Sequence, residues 1–193
     1  MKKRIIKKYL NKGKRYFMNS EFEKAIQEYN KVISINPLSA EAYYYRGEVY
    51  LITDPNIAVS DFTKAIHLKP NYAEAYYNRG LLYATLLSKE NLALVDYTKA
   101  IELNSQNAEF YECRGHIYSY FENYDKAIAD YTKSIELNSA KFQTYLYRGK
   151  DFFSNKEYNN ALNDFKMALK IAKHEDIKLQ VSKLIDELYI KII

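Results

Sequence analysis

The stretch "EAYYYRGEVY", residues 41–50, places a glycine, Gly47, inside a segment of helix-forming residues. A glycine inside a helix costs about 1 kcal/mol relative to alanine, so its presence calls for a structural reason. The five glycines of the chain lie in similar surroundings, at successive intervals of 34, 33, 35 and 34 residues: Gly13, Gly47, Gly80, Gly115 and Gly149. A nearly constant period of this length indicates a chain built from repeated units.

The repeats share further positions when they are aligned on their glycines. A tyrosine stands four residues before each glycine, and a tyrosine or phenylalanine stands three residues after it. A small residue and an aromatic residue follow in the second half of each repeat, as Ala58 and Phe62 do after Gly47. Spacings of 3, 4 and 7 residues put these side chains on one helix face. Each repeat therefore predicts two amphipathic helices, and the glycine lets the second approach the first closely beneath Tyr43, Tyr50 and Phe62.

The predicted fold class is all-α, a solenoid (α-α superhelix) of five helix-turn-helix hairpins that forms a single unit over residues 1–193. The hairpins are expected at residues 6–39, 40–72, 73–107, 108–141 and 142–175. The remaining residues, 176–193, predict one more amphipathic helix. Because a solenoid must cover the apolar face of its last repeat, we expect this helix to act as a cap.

The pattern resembles the tetratricopeptide repeat family, whose unit is a helix-turn-helix of 34 residues with aromatic, Gly, Tyr, Ala, aromatic and Pro at these spacings. The resemblance extends over all five repeats. Two departures are a tyrosine where the family often has tryptophan, and a basic residue directly before each glycine. The resemblance implies a right-handed superhelix with a concave groove lined by the first helices. It also implies a non-catalytic scaffold or adaptor for protein–protein interaction.

The family geometry further implies which side chains line the groove. Positions on the inward face of the first helices hold aromatic, aliphatic and charged residues, acidic in the middle of the chain and basic at both ends. The expected partner is therefore a peptide or helix of another protein, apolar or aromatic with a basic middle. The groove residues implied in this way are Lys14, Phe17, Tyr44, Glu48, Tyr77, Leu81, Glu112, His116, Tyr120 and Lys150, with Tyr44 and Tyr77 as the main anchors.

The basic residue before each glycine is accompanied by an acid 15 to 17 residues later, on the predicted second helix. In the first repeat, where the basic residue is Lys12, the acid is Glu28 instead of an aspartate. These positions come side by side in an antiparallel hairpin, so we expect structural ion pairs. A ladder of arginines that binds an anionic ligand is the alternative. The four arginine pairs are Arg46–Asp61, Arg79–Asp96, Arg114–Asp130 and Arg148–Asp164.

Positive charge is concentrated at the start of the chain. Residues 1–15 hold eight of the 29 Lys and Arg and none of the 24 Asp and Glu, so the rest of the chain has a net charge of −3. A solenoid that binds nucleic acid is expected to carry a basic stripe along its length, so this distribution argues against that function. An alternative function for the basic start is peripheral attachment to an anionic surface.

Residues typical of catalysis or of metal binding do not form a recognisable set in the sequence. Cys113 is the single cysteine, and with His116 it supplies two of the four ligands that a structural zinc site needs, so no metal, cofactor or enzymatic activity is expected. The basic start lacks the apolar run of a signal peptide, and no apolar stretch is long enough to span a membrane, which predicts a cytoplasmic protein. The apolar ending "LYIKII", residues 188–193, leaves a homodimer, or a self-assembling structural protein, as a further alternative.

Overall fold

The computed structural model describes residues 2–138 and 141–192, and in these two ranges it has eleven helices and no strand. The all-α fold that the sequence predicts is therefore confirmed. The fourth predicted repeat includes residues 139–140 and the predicted cap includes residue 193, which lie outside the described ranges. The helices are α1 (Lys2–Met18), α2 (Phe22–Ile35), α3 (Ala40–Thr53), α4 (Pro55–Leu68), α5 (Ala73–Thr85), α6 (Glu90–Leu103), α7 (Ala108–Tyr120), α8 (Tyr124–Leu137), α9 (Phe142–Ser154), α10 (Tyr158–Ile171) and α11 (Glu175–Ile192).

Consecutive helices pack in pairs, which we number hairpin 1 (α1 and α2) to hairpin 5 (α9 and α10). The chain divides into two compact units, one through Leu103 and one from Asn104. Unit 1 holds hairpins 1 to 3. Unit 2 holds hairpins 4 and 5 together with α11, which packs against α10. Val181 and Leu188 of α11 are fully buried in this contact, so the last helix covers the apolar face of hairpin 5.

Each glycine lies where the two helices of its hairpin come closest. A Cβ atom added to Gly47 would lie 2.8 Å from a ring carbon of Phe62, which is closer than carbon atoms can approach. In hairpins 4 and 5 the corresponding distances are 2.9 Å from Gly115 to Tyr131 and 2.7 Å from Gly149 to Phe165. The glycines therefore bring the aromatic side chain of the second helix directly onto the backbone of the first.

The turns within four of the hairpins contain a residue in the left-handed conformation. In hairpin 4, Glu122 has φ 56°, its N–H donates to the Ser119 carbonyl, and the next N–H, that of Asn123, donates to the Tyr118 carbonyl. This is the Schellman ending of a helix, which usually has glycine at the left-handed position. The equivalent residues in hairpins 1, 3 and 5 are Ser20, Ser88 and Lys156.

Hairpin 2 has a shorter turn, in which Asp54 alone separates α3 from α4. The Asp54 carboxylate accepts hydrogen bonds from the N–H groups of Asn56 and Ile57, at 3.1 and 3.3 Å, and Pro55 is the first residue of α4. An aspartate N-cap followed by proline starts a helix abruptly, so this turn needs no left-handed residue.

The packing at the glycines generates a stability prediction. We expect Gly47→Ala to lower the free energy of unfolding by about 1–3 kcal/mol, because the added methyl group overlaps the Phe62 ring, although alanine favours a helix by about 1 kcal/mol over glycine. Chemical denaturation measures the effect. The effect of Gly47→Ala should be smaller in a Phe62→Leu background, since leucine lacks the ring atoms in the overlap. An equal loss in both backgrounds would contradict the contact.

Candidate functional site

Arg46, the arginine before Gly47, connects three helices. The Arg46 guanidinium donates from Nε and Nη2 to the two carboxylate oxygens of Asp61, at 2.8 and 2.7 Å. Its Nη1 donates to Asn30 Oδ1, at 2.6 Å, on the second helix of hairpin 1. Hydrogen bonding to Asp61 holds the pKa of Arg46 above its ordinary value. A bidentate pair of this kind fixes geometry as well as charge.

Hairpins 3, 4 and 5 repeat the bidentate arginine–aspartate pair between their own two helices. Arg79 and Arg148 each add a hydrogen bond to a threonine of the preceding hairpin, Thr63 and Thr132. In hairpin 1, Lys12 pairs with the buried Glu28, at 3.0 Å. The structure thus brings together the four arginine pairs that the sequence suggests: Arg46–Asp61, Arg79–Asp96, Arg114–Asp130 and Arg148–Asp164. Since these guanidinium groups donate to protein acceptors, the pairs join helices and do not form an open anion site.

The unit 1 surface, defined here as Lys14, Phe17, Tyr44, Glu48, Tyr77 and Leu81, comes from the first helices α1, α3 and α5. Its polar members form a connected group. The Tyr44 hydroxyl donates to Glu48 Oε1 at 2.9 Å and accepts from the Asn78 amide at 3.3 Å. Lys14 Nζ lies 4.0 Å from the centre of the Tyr45 ring, which is a cation–π contact.

Burial changes the charge behaviour of Glu48. Loss of water contact raises the pKa of its carboxyl above the ordinary value, while the Tyr44 hydrogen bond and the charge of Lys14 act in the opposite direction. A ligand cation brought next to Glu48 would stabilise its ionised form. A basic side chain placed next to this partly buried carboxyl would therefore be its favourable partner.

Tyr44 and Tyr77 are less exposed than their implied role as the main groove anchors suggests. Tyr44 is only 8% exposed and stacks on Tyr72 with ring centres 4.6 Å apart, so its ring belongs to the core of unit 1. Tyr77 is half-buried, with its ring 6.0 Å from that of Tyr97 on α6. The other members of the unit 1 surface, Lys14, Phe17, Glu48, Tyr77 and Leu81, are all partly exposed.

The unit 2 surface, defined here as Glu112, His116, Tyr120, Tyr147 and Lys150, comes from α7 and α9. His116 Nδ1 lies 2.9 Å from the Tyr131 hydroxyl, and burial lowers the pKa of His116, so the neutral ring is favoured. The His116 ring also meets the Tyr147 ring edge-on, with centres 4.4 Å apart. Tyr120 is 66% exposed at the end of α7.

An apolar cleft of about 270 Å³ lies beside this surface, between α9, α10 and α11. Phe153, Phe165 and Leu184 form its apolar wall, and Lys150 and Glu187 supply its two charges. The volume suits one or two side chains of a partner and is smaller than most small-molecule sites.

Sequence reasoning missed one column of residues, the position two before each glycine. Tyr45, Asn78 and Tyr147 occupy it, and they contact Lys14, Tyr44 and His116 respectively. The column alternates between aromatic and polar residues, so hydrophobic periodicity does not identify it. Its chemical variety was the available clue, because core columns of a repeat keep one residue type.

A second missed feature is the polar contact between hairpins 4 and 5. Asp151 and Thr144 are buried, at 4% and 1% exposure, where hairpin 3 has the apolar Leu82 and Ala75. Asp151 Oδ1 accepts a hydrogen bond of 2.7 Å from Ser119. Asp151 Oδ2 and Thr144 Oγ1 have no hydrogen-bond partner in the described ranges. Burial raises the pKa of Asp151 to about 6.

The described residues include neither a metal-binding cluster nor a helix suited to cross a membrane. Residues 2–138 and 141–192 contain no cluster of three or more His, Cys, Asp or Glu side chains placed to bind a metal ion. Among the helices of these ranges, none is long and apolar enough to cross a membrane.

Comparisons with known proteins identify related sequences and folds. Residues 13–52 match a family model described as TPR repeat, and residues 73–107 and 96–129 match models described as tetratricopeptide repeat. These matches together take in about half of the 193 residues. Comparison with curated protein sequences finds no match.

Solved structures share the fold over most of their length. A crystal structure of MamA protein has 27% identity and a TM-score of 0.77, covering 86% of this chain and 91% of that one. YrrB, titled a TPR protein with an unusual peptide-binding site, has 23% identity and a TM-score of 0.78, covering 91% and 90%. PilF of Pseudomonas aeruginosa has 17% identity and a TM-score of 0.79, covering 97% and 93%.

The buried carboxyl of Asp151 generates a pH prediction. Its pKa is about 6 in the folded chain and lies near 3.8 when solvated, so folding favours the protonated form. The free energy of unfolding is therefore highest below about pH 4. It falls by about 2–3 kcal/mol as the pH rises to about 6, because the Asp151 carboxyl ionises more readily in the unfolded chain.

We expect Asp151→Asn to remove this loss, so the variant should gain on the wild type between pH 4 and 7. Chemical denaturation of both proteins across this range measures the difference, in which His116 cancels because both contain it. A difference that is constant with pH would show that Asp151 ionises freely in the folded chain.

Proposed function

We propose that this chain, which belongs to the tetratricopeptide repeat family, is a non-catalytic scaffold that binds a peptide or helix of a partner protein on the first helices of its repeats. One observation carries the proposal. The polar groups between helices are bonded to each other, as Arg46 is to Asp61, whereas the first helices keep partly exposed aromatic, aliphatic and charged side chains. Such mixed surfaces are typical of protein-binding sites.

Each unit offers a surface with its own chemistry. In unit 1, Leu81 and Tyr77 supply apolar area, and Glu48 supplies an acid whose ionised form a basic ligand would stabilise. In unit 2, the cleft beside Lys150 would take an apolar side chain, and the exposed Tyr120 at the end of α7 adds aromatic area on the first helices. The partner segment that suits these surfaces carries aliphatic or aromatic residues together with Lys or Arg.

The similar fold of YrrB supports the mode of binding. YrrB is described as a TPR protein with an unusual peptide-binding site. The same arrangement of hairpins can therefore present a peptide site, and we propose this use for the first helices here. The cytoplasmic location stays a prediction from the sequence.

A second candidate function concerns the basic start of the chain. Lys2, Lys3, Arg4, Lys7 and Lys8 of α1 are exposed and form no ion pair within the described ranges. Each can contribute about 1 kcal/mol next to an anionic lipid surface. We therefore propose α1 as a site of peripheral attachment, in addition to the scaffold role.

The scaffold role predicts that substitutions on the first-helix surfaces weaken peptide binding. A displayed library of random peptides supplies ligands, and fluorescence anisotropy measures the affinity of the enriched peptides. Leu81→Asp in unit 1 and Tyr120→Asp in unit 2 should each weaken the peptides bound by that unit at least about tenfold, because a charge replaces the central apolar contact.

Val95→Asp is the matched control for these variants. Val95 lies on the second helix α6 and is 65% exposed, against 66% for Tyr120. The affinity of the Val95→Asp variant for the selected peptides should change by less than about twofold, as expected of a site outside the contact. Equal losses in the control and the two variants, or a library that yields no specific peptide, would contradict the scaffold proposal.

The attachment role predicts binding that depends on salt. The chain should bind vesicles containing about 30% phosphatidylserine at low salt and release them at about 0.3 M salt, because screening weakens the attraction. Lys3→Glu/Lys7→Glu should abolish the binding in a sedimentation assay, and Lys64→Glu/Lys69→Glu on hairpin 2 should leave it unchanged. Absence of binding at low salt would exclude this role.

A further inference from the structure

The outward face of α11 carries a short pattern of exposed side chains. Leu179 is 60% exposed and Ile190 is 75% exposed, and between them lie the exposed Lys183 and Asp186. The spacings of 4, 3 and 4 residues place all four on one face of the helix. The opposite face, with Val181 and Leu188, is buried against hairpin 5, so this stripe faces away from unit 2.

The pattern is complementary to itself when it is reversed. If a second α11 lies antiparallel along the stripe, Leu179 meets Ile190 of the other copy and Lys183 meets Asp186. The same four residues supply both sides, which is the requirement of a twofold symmetric interface. Spacings of 4, 3 and 4 are also those of the a and d positions in a coiled-coil seam.

Charge selects this arrangement over the alternatives. A parallel pairing would set Lys183 against Lys183 and Asp186 against Asp186, and like charges in contact are unfavourable. Neither residue forms an ion pair inside the chain over the described ranges, so both are available for a partner. A second copy is the occupant that satisfies the apolar and the charged pairs together.

We propose that α11 mediates homodimerisation through an antiparallel contact of Leu179, Lys183, Asp186 and Ile190 with the same residues of a second chain. The dimer carries two copies of each first-helix surface, so it gives a scaffold two equivalent binding sites. Three turns of helix bury a small area, and small interfaces belong to weak complexes. The dimer therefore forms at high protein concentration or where a bound partner gathers the chains together.

A charge exchange tests the contact in the 193-residue chain. Sedimentation equilibrium from about 10 μM to 1 mM, a range suited to weak association, should show the mass rising from 22.8 kDa towards twice that value. Lys183→Asp places two acids in each charged pair and should weaken the dimer at least about tenfold. The exchange Lys183→Asp/Asp186→Lys restores every pair and should recover the dimer to within about threefold of the wild type.

Lys191→Asp is the control, since it makes the same charge change at an exposed site of α11 outside the stripe. It should leave the dimer unchanged. A mass of 22.8 kDa at all concentrations overturns the proposal, and so does a dimer that is indifferent to Lys183→Asp. These sites lie outside both first-helix surfaces, so peptide binding should be equal in all variants, and failure here leaves the proposed function standing.

Cross-linking fixes the orientation of the two helices. In a Cys113→Ser background, Leu179→Cys and Ile190→Cys proteins should form a mixed disulfide when they are combined and oxidised. Each protein alone should cross-link poorly, because 11 residues of helix separate identical positions by about 16 Å, beyond the reach of a disulfide. Efficient cross-linking of Leu179→Cys with itself would show a parallel pair and overturn the antiparallel contact.

Discussion

The separation of the two helices at the glycine controls the geometry of every hairpin. At Gly47 the backbone of α3 lies against the Phe62 ring, with no room for a methyl group between them. The same contact recurs with tyrosine or phenylalanine in the other four hairpins. Glycine makes the first helix less stable than alanine would, and this cost is offset by dispersion and by burial of the aromatic side chain.

The arginine beside the glycine is a consequence of this close approach. With the helices so near, Arg46 reaches both oxygens of Asp61 and still extends to Asn30 of the preceding hairpin. A buried carboxylate requires such a partner, because an unpaired charge in the core is costly. Because the core and the ion pair have the same geometry in successive hairpins, the partly exposed positions of the first helices are free to vary, and in a repeat protein these positions are where specificity can be built.

The extent of prediction from sequence differed between the core and the surface. Periodicity located the helices and the glycine contact, since core columns repeat in every hairpin, and Gly47 does lie against Phe62. It did not locate Tyr45 or Tyr147, whose column varies in type. The family resemblance also implied Tyr44 as a main groove anchor, whereas the side chain is only 8% exposed and its ring stacks on Tyr72. The burial of a tyrosine ring depends on the residues of the neighbouring hairpin. The sequence of a single repeat therefore does not predict it.

Two local departures from the repeat also lay beyond periodicity. Asp151 replaces an apolar residue in one hairpin contact, and the exposed stripe of α11 has meaning only when a second helix is placed against it. Both depend on what packs against the residue and not on its spacing. They are the places where this chain differs from an idealised array, and function in such arrays is carried by such differences.

The central claim is that the glycine and ion-pair columns maintain the architecture and the first-helix surfaces carry recognition. Saturation mutagenesis of the displayed chain tests it directly, when every variant is scored both for display level and for binding of two library-selected peptides, one bound by each unit. Substitutions of Gly47, Arg46 or Asp61 should lower display and binding together. Substitutions of Leu81 should lower binding of the unit 1 peptide, and substitutions of Tyr120 or Lys150 that of the unit 2 peptide, at unchanged display. The claim would be contradicted if the positions that affect binding alone lay mainly on the second helices.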